Sequence, residues 1–99
     1  VKRTAADAAW SLMIRERAGF NCERCGAWHL RDSRGLHAAH IFSRAIKKTR
    51  CDPANGIALC YGCHSWAHRN PLDFHAWVKK KLGKRKYEAL ERRARRLEC

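Results

Sequence analysis

Acidic residues are scarce in this chain: nine Asp and Glu stand against 22 Lys and Arg over 99 residues, a formal charge of +13. Charge of one sign at this density repels itself, and its expected counterpart is a polyanion, with nucleic acid as the default partner. Such binding weakens steeply with salt, because it releases counterions from the phosphates. Long hydrophobic runs are missing too. No stretch approaches the roughly 18 apolar residues of a membrane span, so no membrane partner is expected. A secretory leader pattern is also lacking, since Val1–Thr4 runs into an alanine-rich amphipathic stretch rather than an apolar block. The expected location is therefore cytoplasmic, where cysteines stay reduced. There is no internal repeat and no low-complexity tract, and a hydrophobic share of 45% is too high for disorder. The length allows one small domain, 1–99, whose modest core needs additional support.

Six cysteines can supply it. Four form two pairs, Cys22-Glu23-Arg24-Cys25 and Cys60-Tyr61-Gly62-Cys63. Each C-x-x-C can set two thiolates on one cation, and two pairs complete a closed structural zinc site. The 34 residues between the pairs exceed zinc-ribbon spacing, which predicts an insertion carrying something else. Gly26 lets the backbone curl its amides toward the first pair of sulfurs. Cys51 and Cys99 fall outside any pair spacing and read as free thiols.

The flanks of the zinc unit read as helices. Thr4 and Asp7 form a capping-box start, Ala6, Trp10, Met13 and Arg17 recur at helical spacing, and Gly19 is the stop, giving an N-terminal helix within 1–20. Within a core of 21–70, a strand is expected over 35–42 and a second over Ile57–Leu59. A helix is expected from Cys63 to about Arg69, closed by Asn70-Pro71. Trp28 and Trp66 are expected to pack around the zinc. Segment 71–99 predicts two basic helices. One opens at Pro71, sets Phe74, Trp77, Val78 and the stem of Lys81 on one face and closes at Gly83; the other carries a stripe of Tyr87, Leu90, Ala94 and Leu97. Whether these helices pack on the zinc unit or lie along DNA is left open by the pattern.

The chemistry is concentrated in the histidines. His64 and His68 are four apart on the predicted helix and so project from one face about 6 Å apart, a metal-binding separation. Cys63 lies roughly 100° around that helix from His64, which allows two cations on different sides of one helix. His40 and Asn55 come from the inserted segment. Together His40, Asn55 and His64, within the C-x-x-C…C-x-x-C-H frame, resemble the three named positions of the HNH nuclease family. Ala39-His40-Ile41-Phe42-Ser43-Arg44, Asp52-Pro53-Ala54-Asn55 and Leu59-Cys60-Tyr61-Gly62-Cys63-His64 resemble small phage members in particular.

That resemblance implies an α+β fold: a ββα-metal motif merged with a treble-clef four-cysteine zinc site and flanked by helices. It also implies a metal-dependent endonuclease that hydrolyses DNA phosphodiester bonds. His40 would be the general base, its ordinary pKa near 6.5 suiting proton abstraction at neutral pH. A catalytic divalent ion, Mg²⁺, Mn²⁺, Ni²⁺ or Zn²⁺, would be held by His64 and His68. Asn55 would orient the loop and keep His40 in place. Arg44 is placed to clamp a phosphate, with Lys47, Lys48 and Arg50 adding sequence-independent contacts. The family commonly has a metal-ligating Asp or His directly before the base, and here Ala39 has no donor atom. Either His37 supplies the ligand, which in a regular strand requires a bulge or turn because residues 37 and 40 face opposite ways, or His40 itself ligates. The small phage relatives imply a packaging partner such as terminase. The rival readings are a non-catalytic zinc module that binds nucleic acid, and an adaptor that docks a partner protein.

Overall fold

The structure, a computed structural model, describes residues 2–95. Val1 and residues 96–99 lie outside the described residues, and with them the expectations on Leu97 and Cys99. The N-terminal helix α1 (Ala5–Arg17) starts as its capping box requires: the Thr4 hydroxyl accepts from the Asp7 amide and the Asp7 carboxylate from the Thr4 amide. Its buried face is set by Asp7, Trp10 and Ile14 rather than by the expected Ala6, Trp10, Met13 and Arg17. Ala6 is exposed and Arg17 reaches outward to the carbonyls of Pro53 and Gly56, because a polar tail does better on those acceptors than in a core. Gly19, at φ +62°, and Phe20, at φ +59°, turn the chain away from the helix.

Strands β1 (Leu36–His40) and β2 (Gly56–Cys60) form one antiparallel hairpin, paired from Leu36 with Cys60 to His40 with Gly56. The register is unbroken, so β1 carries no bulge. Helix α1 packs on both strands, with Trp10 and Ile14 lying so close over Gly56 that a Cβ there would meet both side chains. Helix α2 (Tyr61–Arg69) follows β2 without a loop. It begins two residues before the expected Cys63, because the Cys60 thiol caps it by accepting from the Cys63 amide at 3.4 Å.

Helices α3 (Pro71–Leu82) and α4 (Lys84–Arg95) pack back on the rest of the fold instead of extending from it: α3 lies on α2 and α4 on α3. Phe74, Val78, Tyr87 and Leu90 join Trp10, Ile14, Ile57 and Leu59 in one core. Gly83, at φ +89°, makes the sharp turn between them. Trp77 is only partly buried, against that core. Rim ion pairs, Lys81 with Glu23 and Arg93 with Asp52, tie the two helices back to the knuckle and the loop. The fold is thus α+β, four helices around a two-stranded sheet. Among the described residues, no helix is long and apolar enough to cross a membrane.

The long connection from β1 to β2 is irregular up to a 3-10 turn at Pro53–Asn55, and Asn55 holds it. Its side chain is wholly buried, accepts from the Phe42 amide at 2.8 Å, and donates to the carbonyls of Phe42 and Thr49 at 3.0 and 2.9 Å. Truncation strands three backbone groups at about 1–3 kcal/mol each when none finds water, so Asn55→Ala is expected to cost about 3 kcal/mol. Urea denaturation measures it. A change under about 0.5 kcal/mol, the level of an unremarkable surface substitution, would show that the brace does nothing.

Candidate functional site

The four paired cysteines converge. Their sulfurs all lie within 4.8 Å of one another, with Cys25 and Cys60 3.7 Å apart, and this cluster could bind a zinc ion. Local backbone explains the convergence. Gly26, at φ +82°, closes a turn in which its amide bonds the Cys22 carbonyl at 2.8 Å and the Cys25 amide points at the Cys22 sulfur at 3.4 Å. The second pair sits at the cap and third position of α2, where amides and the positive end of the helix favour thiolate. Burial alone would raise the Cys22 thiol, but the amides of Cys25, Cys60 and Arg24 outweigh it and bring it down to about 6. Burial pushes Cys63 up to about 12, although the Arg24 guanidinium lies 3.5 Å from its sulfur. Four crowded thiols therefore cannot all ionise unaided, and a coordinated zinc ion deprotonates its thiol ligands outright.

The tryptophans divide. Trp66 packs beside the cluster under the Arg24 guanidinium, 3.6 Å from its ring, and meets Phe74 edge-on. Trp28, expected to pack there too, is 64% exposed, because the Asn21–Trp28 bridge fixes its backbone at the knuckle's outer edge. Cys51 is exposed and unpaired with any other cysteine.

A second constellation occupies another side of α2. Nε2 of His64 and Nε2 of His68 are 3.1 Å apart. Two nitrogens bound to one tetrahedral ion at 2.0–2.1 Å lie about 3.3 Å apart, so the pair has the spacing of two ligands on one cation. His37 approaches the opposite nitrogen of His64, Nδ1 to Nδ1 at 2.8 Å, while its Nε2 meets the Arg34 carbonyl at 2.9 Å. A carbonyl only accepts, so His37 carries its proton on Nε2 and receives the Nδ1 proton of His64. That leaves His64 Nε2 with a lone pair facing His68. His37 is accordingly the hydrogen-bond partner that orients the His64 ring, on its far side from His68. Because β1 has no bulge, His37 and His40 face opposite ways as the pleat requires, and His37 does not join His40 as the missing ligand: it meets His64 at Nδ1, while His40 stacks on Trp10. Burial, then the charges of His68, His37 and His40, push His64 down to about 4, so it is a neutral donor at pH 7. Only the cysteines bring three or more donor atoms together among the described residues; His64 and His68 bring two.

His40 is held from two directions. It stacks on Trp10, with centroids 4.1 Å apart and planes inclined 15°, and its Nε2 bonds the Arg50 carbonyl at 2.9 Å. The carbonyl fixes the proton on Nε2 and leaves Nδ1 as the basic lone pair. Burial holds the pKa of His40 below its ordinary value. Asn55 does not touch this ring. It acts through the loop, bonding Phe42 and Thr49 on either side of the segment that leads to Arg50. His40, His64 and His68 line one cleft, with Arg44 and His75 at its sides.

Of the expected phosphate contacts, Lys47 and Lys48 are exposed on the loop and Arg44 is half-exposed, 4.0 Å from Asp7. Arg50 is otherwise employed: its guanidinium grips the Asp7 carboxylate, Nε to Oδ1 at 2.8 Å, and donates to the Lys2 carbonyl. It is committed inside the protein because its loop lies over the start of α1, a closure that spacing in the chain did not reveal. The same guanidinium, with the Thr4 amide, holds the Asp7 carboxyl far below the usual carboxylate range. A carboxyl depressed in the folded state stabilises fully above its unfolded pKa of about 4, and loses that only as pH falls through the lower folded value. Asp7→Asn is therefore expected to lower Tm by a constant amount between about pH 5.5 and 8. A gap that shrinks within that window, followed by thermal melts, would contradict the ion pair.

No protein-family model matches this chain, and no curated protein or solved structure does so either.

Proposed function

We propose that this chain is a metal-dependent DNA endonuclease of the HNH type, with the four cysteines as its structural zinc site. The observation that carries the reading is the pairing, in one cleft, of a histidine whose Nε2 is held by a backbone carbonyl with two helical imidazoles at ligand spacing. Hydrolysis of a phosphodiester needs a proton acceptor for the attacking water, and Nδ1 of His40 has the free lone pair for it. His64 and His68 would hold a divalent ion, which supplies Lewis-acid charge to the scissile phosphate and the leaving oxygen. His37 orients His64 through its Nδ1, and Asn55 positions His40 by tying down the loop that contains Arg50. Arg44, half-exposed on the rim, is free to swing its guanidinium toward a phosphate at the cost of a long, weak contact with Asp7.

The products expected are a 3′-hydroxyl and a 5′-phosphate, with weak sequence preference because the cationic groups meet phosphates rather than base edges. A setting in phage DNA processing or packaging, with terminase as the partner, rests on the sequence resemblance alone. The test is nicking of supercoiled plasmid by zinc-loaded protein, with and without an added divalent ion, followed by resealing of the open circles with DNA ligase. A second reading, a non-catalytic zinc module that binds nucleic acid, is favoured by Ala39, which is buried and has no donor where a third ligand is expected. It predicts DNA binding without nicking under any ion.

A further inference from the structure

A second cleft, of about 670 Å³, opens on the other side of His37, between α1 and the loop before β1. Its walls bring together Arg3, Arg15, Arg31 and Arg34, with Asp32 as the only acid among its lining residues. These arginines come from two separate parts of the chain, so charge counting along the sequence does not group them. One of them builds the site: Arg15, half-buried, donates from Nε to the Ser11 carbonyl at 3.2 Å and from Nη1 to the Arg31 carbonyl at 3.3 Å. That bond fixes the loop to α1, while the Arg31 and Arg34 side chains stay exposed. The Arg34 carbonyl is the acceptor that sets the His37 proton, so the same loop joins this cleft to the histidine pair.

The two clefts are adjacent, with Arg3, Ser11 and Ala38 lining both. A guanidinium presents donors in a planar fork that matches phosphate oxygens, and several around one groove suit a chain of phosphates rather than a single anion. We infer that the arginine cleft is a phosphate-binding subsite for the DNA backbone next to the scissile phosphate, the strand passing Arg3 as it leaves the histidine cleft. This rests on the endonuclease reading and extends it: the path of the substrate runs over Arg3, Arg31 and Arg34 as well as over Arg44, Lys47 and Lys48.

The test is fluorescence anisotropy with a labelled DNA duplex and zinc-loaded protein, with no divalent ion added, over a series of salt concentrations. Wild type is compared with Arg31→Gln/Arg34→Gln, which keeps polar stems and the backbone bond to Arg15. A control double variant, Lys80→Gln/Arg85→Gln, removes the same charge at exposed positions that line neither cleft. Loss of two phosphate contacts makes the slope of log K against log salt shallower by about 1.8. Affinity at low salt is expected to fall at least about tenfold, against a threefold or smaller fall for the control. If the two double variants behave alike while the wild type binds and nicks DNA, the subsite is wrong and the endonuclease reading stands. If the wild type neither binds nor nicks DNA, both fall together. Circular dichroism of the variants establishes that each is folded.

Discussion

Cys22→Ser is expected to leave this chain unfolded at 25 °C, with its far-UV helix signal gone and no zinc retained. Structural zinc in small domains contributes on the order of 10 kcal/mol, as much as the whole 5–15 kcal/mol stability of an ordinary domain. The position matters as well as the donor. Cys22 is 2% exposed, and its sulfur receives the Cys25 amide, while its backbone closes the turn at Gly26. A serine hydroxyl there is a poor zinc ligand and leaves three thiols crowded without a cation. The fold also depends on this cluster for its order: Cys60 and Cys63 begin α2, and α2 carries His64 and His68. Chelation of the zinc from wild-type protein is expected to give the same loss of helix, reversed by adding zinc back. A variant that keeps full helix content and melts cooperatively without metal would show that the apolar core suffices.

His64→Ala is expected to do the opposite: the chain stays folded and zinc-loaded, and plasmid nicking falls by at least about 10³-fold. Removing a group that stabilises charge in the transition state typically costs 10²–10³ in rate, and here the loss includes a ligand of the cation itself. His64 is half-buried and, among the described residues, its ring bonds only the side chains of His37 and His68, so its truncation strands no backbone group there. The contrast between Cys22→Ser and His64→Ala tests the proposed division between a sulfur site that holds the fold and an imidazole site that would act on DNA. If His64→Ala unfolds together with loss of zinc, the two sites have been wrongly divided. If it nicks as fast as wild type, the histidine pair is not the centre.

What could be read in the chain alone was what is local. The two C-x-x-C spacings, the Thr4–Asp7 box, Pro71 and Gly83 each act within a few residues, and each appears in the fold where expected. His64 and His68 met because four residues is one turn of a helix. The rest was set by contacts between distant segments. Nothing in the spacing indicates that Trp10 stacks on His40, that Arg50 turns inward to Asp7, or that Arg3 and Arg34 share a cleft. The buried face of α1 was misplaced for a related reason: Asp7 is a polar residue that gains a buried place only through Arg50, a partner 43 positions away. The pleat was legible as well: β1 is regular, so His37 and His40 stay on opposite faces, and His37 is not among the residues lining the cleft of His40, His64 and His68.

On the proposed reading, the imidazole pair on α2, served by His40, hydrolyses DNA when a divalent ion is present. Zinc-loaded wild-type protein is incubated with supercoiled plasmid, with Mg²⁺, Mn²⁺, Ni²⁺ or Zn²⁺ added in turn or left out, and open circles are counted over time. Nicked plasmid that accumulates with at least one added ion and stays at background without it is the predicted result. Folded protein that binds the plasmid yet leaves it supercoiled with every ion would rule out the endonuclease.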